Sequence, residues 1–376
     1  MERAMTQTDQ KNQELENQER EHQEENRAQT LSAPPLSLDP LSGKTILLSG
    51  ATGMIGKCII ELLMQYNRTH TDEEPIRIIT LGRNEQRAEE RFAEYWNEEY
   101  FHYVVCDVNQ KIPECGKADY IIHAASNTHP LQYSQDSIGT ITANVIGTKN
   151  LLDYAVAHET KRFCFVSSVE IYGENRGDVD RFSEDYLGYL NCNTLRAGYP
   201  ESKRVGETLC NAYGQTYRLD FVIPRLSRAY GPTMLLSDSK AIAQFIKKAA
   251  AGEDIILKSA GTQLYSYTYA PDAAAGILTV LLNGKSGEAY NISDLESEVT
   301  LRQITEWLAL DNGVKVTFEV PDVSEQAGYS TATKAILDTE KITGLGWRPR
   351  THMREGLAET VRSLREKELQ KRESKS

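Results

Sequence analysis

Between Lys44 and residue 230, short apolar runs alternate with stretches in which apolar residues return every third or fourth position. The runs are "KTILLSG", "IRIITLGR", "FHYVVCDV", "ADYIIHAAS", "RFCFVSSVEIYG" and "LDFVIPRLSRAYGP", and each predicts a strand. Helical spacing predicts helices over 55–66 and 85–97, a third through Ile141, Val145, Thr148, Leu152 and Ala155, and a fourth that includes "ESKRVGETLCNAYG". Strands alternating with helices imply an α/β fold with a Rossmann-type doubly wound parallel sheet, covered on both faces. Beyond residue 230 the pattern becomes mixed, which predicts a smaller mixed α/β lobe over 231–365 that binds substrate and returns in part to the first sheet. No fixed-period repeat is present.

The flanks read differently. Residues 1–30 are almost entirely polar, with Leu15 as the one large aliphatic side chain besides the methionines. Such a segment buries too little apolar surface to offset the entropy of ordering it, so residues 1–43 read as a disordered tail and linker. Residues 366–376 read as the solvated end of a helix.

Bulk composition then narrows the partners. A formal net charge of −12 argues against nucleic acid and anionic membrane surfaces, both of which demand clustered Lys and Arg. The six cysteines are scattered without a C-x-x-C pair, which suits buried thiols in a reducing compartment. No run is long enough for a membrane helix and the amino terminus has no apolar signal core, so a cytoplasmic location is expected. His123 and His129 have no partners at metal-ligand spacing and read as structural, with no metal site expected.

The first strand runs into "SGATGMIG", which sets Gly50, Gly53 and Gly56 between a strand and a helix. Glycines there permit a tight turn, a close approach of pyrophosphate to the main chain, and close packing of helix on strand. Together with Thr52, Met54 and Ile55 they are the expected dinucleotide loop.

Further along stand "CDV" around Asp107, "HAAS" at 123–126, Asn144 in "ANVIGTKNLL", and "GYPESK" with Tyr199 and Lys203. With the glycine loop, these motifs resemble the extended short-chain dehydrogenase/reductase family. "YG" at 172–173, "RAYGP" at 228–232 and "GWRPR" at 346–350 are similar to its nucleotide-sugar epimerase, dehydratase and decarboxylase branch, over residues 44 to about 362.

Tyr199 and Lys203 are four apart, so on a helix they share a face, and Pro200 between them requires that the helix begin close by. A tyrosine base must come from a pKa of about 10 to near 7, which takes roughly 4 kcal/mol. One cation at about 4 Å in a partly buried site supplies that order of energy, so Lys203 together with the positive nicotinamide ring of the implied cofactor is expected to lower the phenol. Ser168 and Glu170 are two apart at a strand end, and alternation predicts that both side chains emerge on one side.

The resemblance implies that Ser168 bonds the reacting sugar hydroxyl beside Tyr199. It also implies that Glu170 stands where dehydratases and uronic-acid decarboxylases carry a glutamate. Val169 stands where many dehydratases have an aspartate. Arg228 replaces an Asn that meets the substrate diphosphate, and Tyr265, in "QLYSYTYAPD", replaces an Arg of the substrate site.

Asp107 and Val108 are implied adenine contacts, and Ala124, Ala125 and Ser126 a strand end beneath the cofactor. The cofactor is NAD or NADP. Gly82 and Arg83 stand where an acidic residue would select NAD, which leans the choice to NADP.

The resemblance thus implies an enzyme acting on a nucleotide sugar through a transient 4-keto sugar with an internally recycled dinucleotide, either a 4,6-dehydratase or a decarboxylase-like lyase. A 4-epimerase, an NADPH-consuming reductase and a cofactor-bound regulator are the alternatives. It also implies a homodimer through the helices that contain Asn144 and that follow Tyr199.

Overall fold

The computed structural model describes residues 36–128, 136–319 and 332–373. The polar tail and His129 lie outside the described residues.

The first half alternates as the apolar pattern predicts. β1 (Thr45–Ser49), α1 (Met54–Thr69), β2 (Arg77–Gly82), α2 (Glu85–Arg91), β3 (Phe101–Val105) and β4 (Tyr120–His123) are followed by α3 (Ser137–Ala157), β5 (Arg162–Phe165), β6 (Ser167–Ser168), α4 (Gly198–Tyr217) and β7 (Phe221–Leu226). Next come β8 (Arg228–Tyr230), α5 (Ala241–Ala251), β9 (Ile255–Leu257), β10 (Leu264–Tyr269), α6 (Ala270–Asn283) and β11 (Ala289–Ile292). The chain then runs through β12 (Asp294–Thr300), α7 (Leu301–Asn312), β13 (Val316–Phe318), β14 (Lys334–Ala335), α8 (Glu340–Gly344) and α9 (Met353–Glu373).

The large sheet is parallel throughout, in the order β11-β7-β5-β4-β1-β2-β3, with β6 also on β7. Its inner strands read as unbroken apolar runs because helices cover both faces. On one face α1 buries Ile59, Ile60 and Leu63 with Ala273, Ala274 and Ile277 of α6. On the other, Leu151, Leu152 and Ala155 of α3 pack with Phe163, Phe165 and Cys210. Gly206 lets α4 approach β5, since a Cβ there would run into the Phe165 ring.

Three expected elements come out differently. The helix expected over 85–97 stops at Arg91, and Phe92, Tyr95 and Trp96 beyond it pack against the core from the turns that lead to β3. Phe92 meets Phe101 at 5.4 Å between ring centroids and Trp96 meets Tyr103 at 5.8 Å.

The strand expected through residue 173 ends at Ser168, and a 3-10 turn follows over Val169–Tyr172. Val169, Ile171 and Tyr172 are all buried. A straight strand would bury only alternate residues, whereas the turn buries three and leaves Glu170 out.

"LDFVIPRLSRAYGP" divides at Ser227. There the chain leaves the large sheet and β8 joins a second sheet beside β10, which also pairs with β12 and β14. The Ser227 hydroxyl meets that of Thr268 at 2.6 Å, pinning the pivot that sets Arg228 in the cleft.

Candidate active site

β1 lies between β2 and β4, so the strand order reverses between β1 and β4 and a crevice opens at their carboxyl ends. Gly50, Gly53 and Gly56 meet at this crest. Gly50 has φ +78°, and a Cβ there would stand 2.6 Å from the Ala124 carbonyl carbon and the Ala125 nitrogen. A Cβ on Gly56 would strike the Gly50 carbonyl oxygen. Gly53 is the N-cap of α1, with its N–H donated to Gly50 O at 3.0 Å. Thr52, Met54 and Ile55 stay partly exposed around the mouth of the loop.

The opposite lip is the end of β4. Ala124, Ala125 and Ser126 are partly exposed, and the Ser49 hydroxyl links His123 Nδ1 at 2.7 Å with the Ala125 N–H at 3.3 Å. His123 is fully buried and burial pushes its pKa down to about 3, so it is a neutral strut. Arg83 stands exposed just past β2. Asp107 follows β3, accepting from the Asn109 N–H at 2.9 Å, and Val108 is buried under Gly147. A backbone cradle with no room for a Cβ, facing the amino end of α1, fits a dinucleotide pyrophosphate.

The second group of residues lies along β6 and the start of α4. Tyr199 is in the first turn of α4, so Pro200 falls where a missing N–H costs nothing. Its phenol is hydrogen-bonded with Ser168, and burial, with the Glu170 charge adding to it, outweighs that bond and pushes the phenol up to about 12. Lys203 is buried, donates to the Val166 carbonyl at 2.8 Å, and lies 4.7 Å from the centre of the Phe165 ring. Burial lowers its ammonium to about 8, against the raising influence of Glu207 and Cys210. The protein's own groups thus leave the phenol high, and the expected lowering calls on Lys203 together with the positive nicotinamide ring.

Beneath Ser168, Arg225 forks onto Glu207 at 2.7 and 3.0 Å, and Ser167 donates to the same carboxylate at 2.6 Å. This buried brace fixes β6 against α4.

Ser168 and Glu170 come together through a cap rather than through strand alternation: the Ser168 hydroxyl accepts the Glu170 N–H at 3.3 Å. The Glu170 side chain keeps 23% of its surface and lies between two guanidinium groups, Arg196 Nη2 at 3.0 Å and Arg228 Nη2 at 3.5 Å. Burial alone would raise its pKa, but Arg196 and Arg228, with Lys240 behind them, hold it below the ordinary carboxylate value. Arg228 stacks on Tyr265, 3.6 Å from the ring centre, and Tyr265 is buried with its hydroxyl donated to the Ala332 carbonyl at 2.6 Å.

Tyr265 thus supports Arg228 and offers its own polar atom inward. Arg196 and Lys240 are the charged groups that the sequence reading missed. For Arg196 a signal existed, since it precedes Tyr199 by three residues in the turn that leads into α4.

Among the described residues no helix is long and apolar enough to cross a membrane. The family described as NAD dependent epimerase/dehydratase matches residues 46–293. UDP-glucuronic acid decarboxylase 1 of Xenopus tropicalis is 29% identical over 330 residues, 87% of this chain and 73% of that protein. The dTDP-D-glucose 4,6-dehydratase of Bos taurus is 28% identical over 334 residues, 86% of this chain and 89% of that protein. Among solved structures, a dTDP-glucose 4,6-dehydratase from Streptomyces venezuelae with NAD bound superposes with a TM-score of 0.73 at 28% identity, covering 85% of this chain and 97% of that one. The crest, the Tyr199–Lys203 pair and these matches agree: the chain belongs to the NAD dependent epimerase/dehydratase family.

Proposed function

We propose that this protein is a nucleotide-sugar lyase that works through a transient 4-keto sugar and leaves its dinucleotide unchanged over a full turnover. The observation that carries the reading is the cluster of Ser168, Glu170, Tyr199 and Lys203, in which a phenol, a hydroxyl and an ionised carboxylate adjoin. NAD or NADP, when bound at the crest, supplies the oxidising equivalent at the fourth carbon of the sugar.

In this reading Ser168 holds the hydroxyl on that carbon and Tyr199 Oη accepts its proton. Ionisation of a phenol whose pKa stands at about 12 needs help, and the Lys203 ammonium and the bound dinucleotide ring are the positive charges on hand. The ketone acidifies the fifth carbon. Glu170 is ionised and so is able to take a proton there on the way to loss of water; where carbon dioxide leaves instead, the ketone takes up the electron pair of the broken bond and Glu170 orients the substrate or handles protons. With Val169 beside it, Glu170 is the acid–base group of this turn, since no second carboxyl follows Ser168.

Two finer points belong to the same proposal. Arg83, exposed past β2 with no acid in its place, favours the extra phosphate of NADP. Ile138, Ile141 and Ile146 of α3 and Val205 of α4 are exposed apolar side chains on adjacent helices, which supports a homodimer through that face.

The test is to offer the purified protein a panel of UDP-, dTDP-, GDP- and CDP-sugars without added reductant and to weigh the products by mass spectrometry. Loss of water or of carbon dioxide supports the lyase. Inversion without mass change would replace it with an epimerase, and a strict need for NADPH with a reductase. Tyr199→Phe is expected to cut kcat by at least about a thousandfold with the dinucleotide still bound. Glu170→Gln is expected to let a keto intermediate accumulate, and unchanged kinetics would return Glu170 to a purely structural role.

A further inference from the structure

Two guanidinium groups share one carboxylate beside the reacting end of the cleft. Arg196 and Arg228 both lean on Glu170, while the third cation nearby, Lys240, has Asp238 as its own counter-ion at 3.6 Å. Among the described residues Arg228 thus shares the Glu170 carboxylate and has no acid of its own, in a place where the Arg228 and Glu170 side chains keep only 20–23% of their surface. An unmatched charge held that far from water is costly, and an anionic ligand relieves the cost.

The two arginines are not equivalent. Arg196 makes a close bond to Glu170 Oε2 at 3.0 Å. Arg228 makes only a long contact to Oε1 at 3.5 Å, and its Nη1 is buried with no hydrogen-bond partner among the described residues. A buried, unpaired donor on a charged group is a standing penalty unless something fills it. The guanidinium is nevertheless held firmly, flat on the Tyr265 ring, whose own hydroxyl is locked to Ala332. Arg228 is thus rigid, positively charged and only half used.

Position separates the two sources of an anion. Arg228 reaches the carboxylate that lies two residues from Ser168, and the Ser168 hydroxyl bonds Tyr199. That is the sugar end of the cleft rather than its nucleotide end. Its present partner, moreover, is itself a carboxylate.

We propose that Arg228, seated on Tyr265, is a specificity-determining residue that binds a carboxylate carried by the sugar, so that the substrate is a nucleotide-activated hexuronic acid. Glu170 is the placeholder that this carboxylate displaces from Arg228, after which Arg228 has a carboxylate of its own. The proposal rests on the 4-keto reading above. With a ketone on the fourth carbon and a carboxylate on the fifth, the bond from the fifth carbon to the carboxylate carbon breaks and carbon dioxide leaves. The electron pair passes into the ketone as an enolate, and a proton returns to the fifth carbon. No oxidant or reductant is consumed over the cycle.

The experiment uses the full chain loaded with dinucleotide and matched probes on one nucleotide: UDP alone, UDP-glucose and UDP-glucuronic acid, with the dTDP, CDP and GDP counterparts. Binding is measured by calorimetry and products by mass. The hexuronic acid form is expected to bind about tenfold or more tightly than its matched hexose. Arg228→Met is expected to remove that preference and leave the affinity for the bare nucleoside diphosphate unchanged, and Arg228→Lys to restore part of it.

Equal affinity for hexose and hexuronic acid in the unaltered protein overturns the proposal, whether or not either variant folds. A loss in Arg228→Met that is as large for the bare diphosphate also overturns it, since Arg228 would then serve the phosphates. Conversion of the neutral hexose with loss of water would refute the carboxylate while leaving the 4-keto reading intact. Absence of any mass change with every probe would instead count against that reading, and the binding comparison would still decide the role of Arg228.

Discussion

The two ends of the cleft are built from different materials. At the crest, the shape is made by backbone: Gly50 in a left-handed turn, Gly56 tight against it, and the chain after β4 so near that a Cβ on Gly50 would stand 2.6 Å from it. At the other end the shape is made by charged side chains from four separate segments, Glu170 in its 3-10 turn, Arg196 before α4, Arg228 on β8 and Lys240 before α5. A backbone site tolerates no added atom but needs no partner. A side-chain site tolerates atoms but fails when one partner of a charge set is lost. The first suits a ligand common to a whole family, and the second is where one member can differ from the next.

Adding a single methyl at the crest should break the comparison most severely. Gly50→Ala forces a left-handed alanine, at about 1–2 kcal/mol, and drives its Cβ into Ala124, at about 1–3 kcal/mol. The sum predicts a fall in Tm of roughly 3–7 °C for a chain of this size, together with loss of most dinucleotide affinity. Gly53→Ala is the control. Gly53 has φ −72°, and a Cβ there would meet only the Gly50 carbonyl oxygen at 3.2 Å, so its Tm should fall by no more than about 1 °C. Thermal melting of the two variants side by side checks this, and equal losses would mean that the loop bends freely.

Removing one partner from the charge set is the second break. Arg196→Met leaves Glu170 buried but with only the long contact to Arg228, so its pKa must rise. A carboxylate with a depressed pKa is ionised, and working, above that pKa and fails as pH falls through it. Raising the pKa therefore moves the acid limb of the kcat profile to higher pH. The stabilising share of Glu170, present above its unfolded pKa and lost as pH falls through its folded one, should shrink in the same direction. Arg196→Lys should bring part of the profile back. An acid limb that does not move would show that Glu170 owes its charge to other groups.

This contrast also explains what could be read beforehand. The crest is local in sequence: a strand, three glycines at fixed spacing and a helix all fall within residues 45–69, and short-range rules suffice for it. Tyr199 and Lys203 are equally local, four apart on one helix.

The charge cluster joins residues 26 and 58 positions apart, and pairings of that kind leave no periodic trace. The turn at Val169–Tyr172 was illegible for a related reason, since "VEIY" is a good strand by propensity and becomes a 3-10 turn only because a second core is there to take Val169, Ile171 and Tyr172 at once. Tyr265 was legible as a substitution but not as a shelf, because only the pairing of β8 with β10 brings Arg228 over it.

The smallest expected effect returns to the crest, to the one place where a charged side chain enters the backbone-built end. Arg83 follows directly on β2, and Gly82 before it is crowded by the Tyr103 hydroxyl, so the turn itself is fixed by packing and not by the arginine. Arg83→Ala should therefore leave Tm unchanged. Its guanidinium is exposed, and a contact it makes with a ribose phosphate is screened by water and salt, so the gain is modest. The expected outcome is a loss of about fivefold in NADP affinity with NAD affinity unchanged, read by fluorescence titration of each dinucleotide. The difference should shrink as salt is raised. An equal loss for both dinucleotides would mean that Arg83 stacks on the adenine instead of meeting the phosphate, and that even this charged residue acts through shape, as the rest of the crest does.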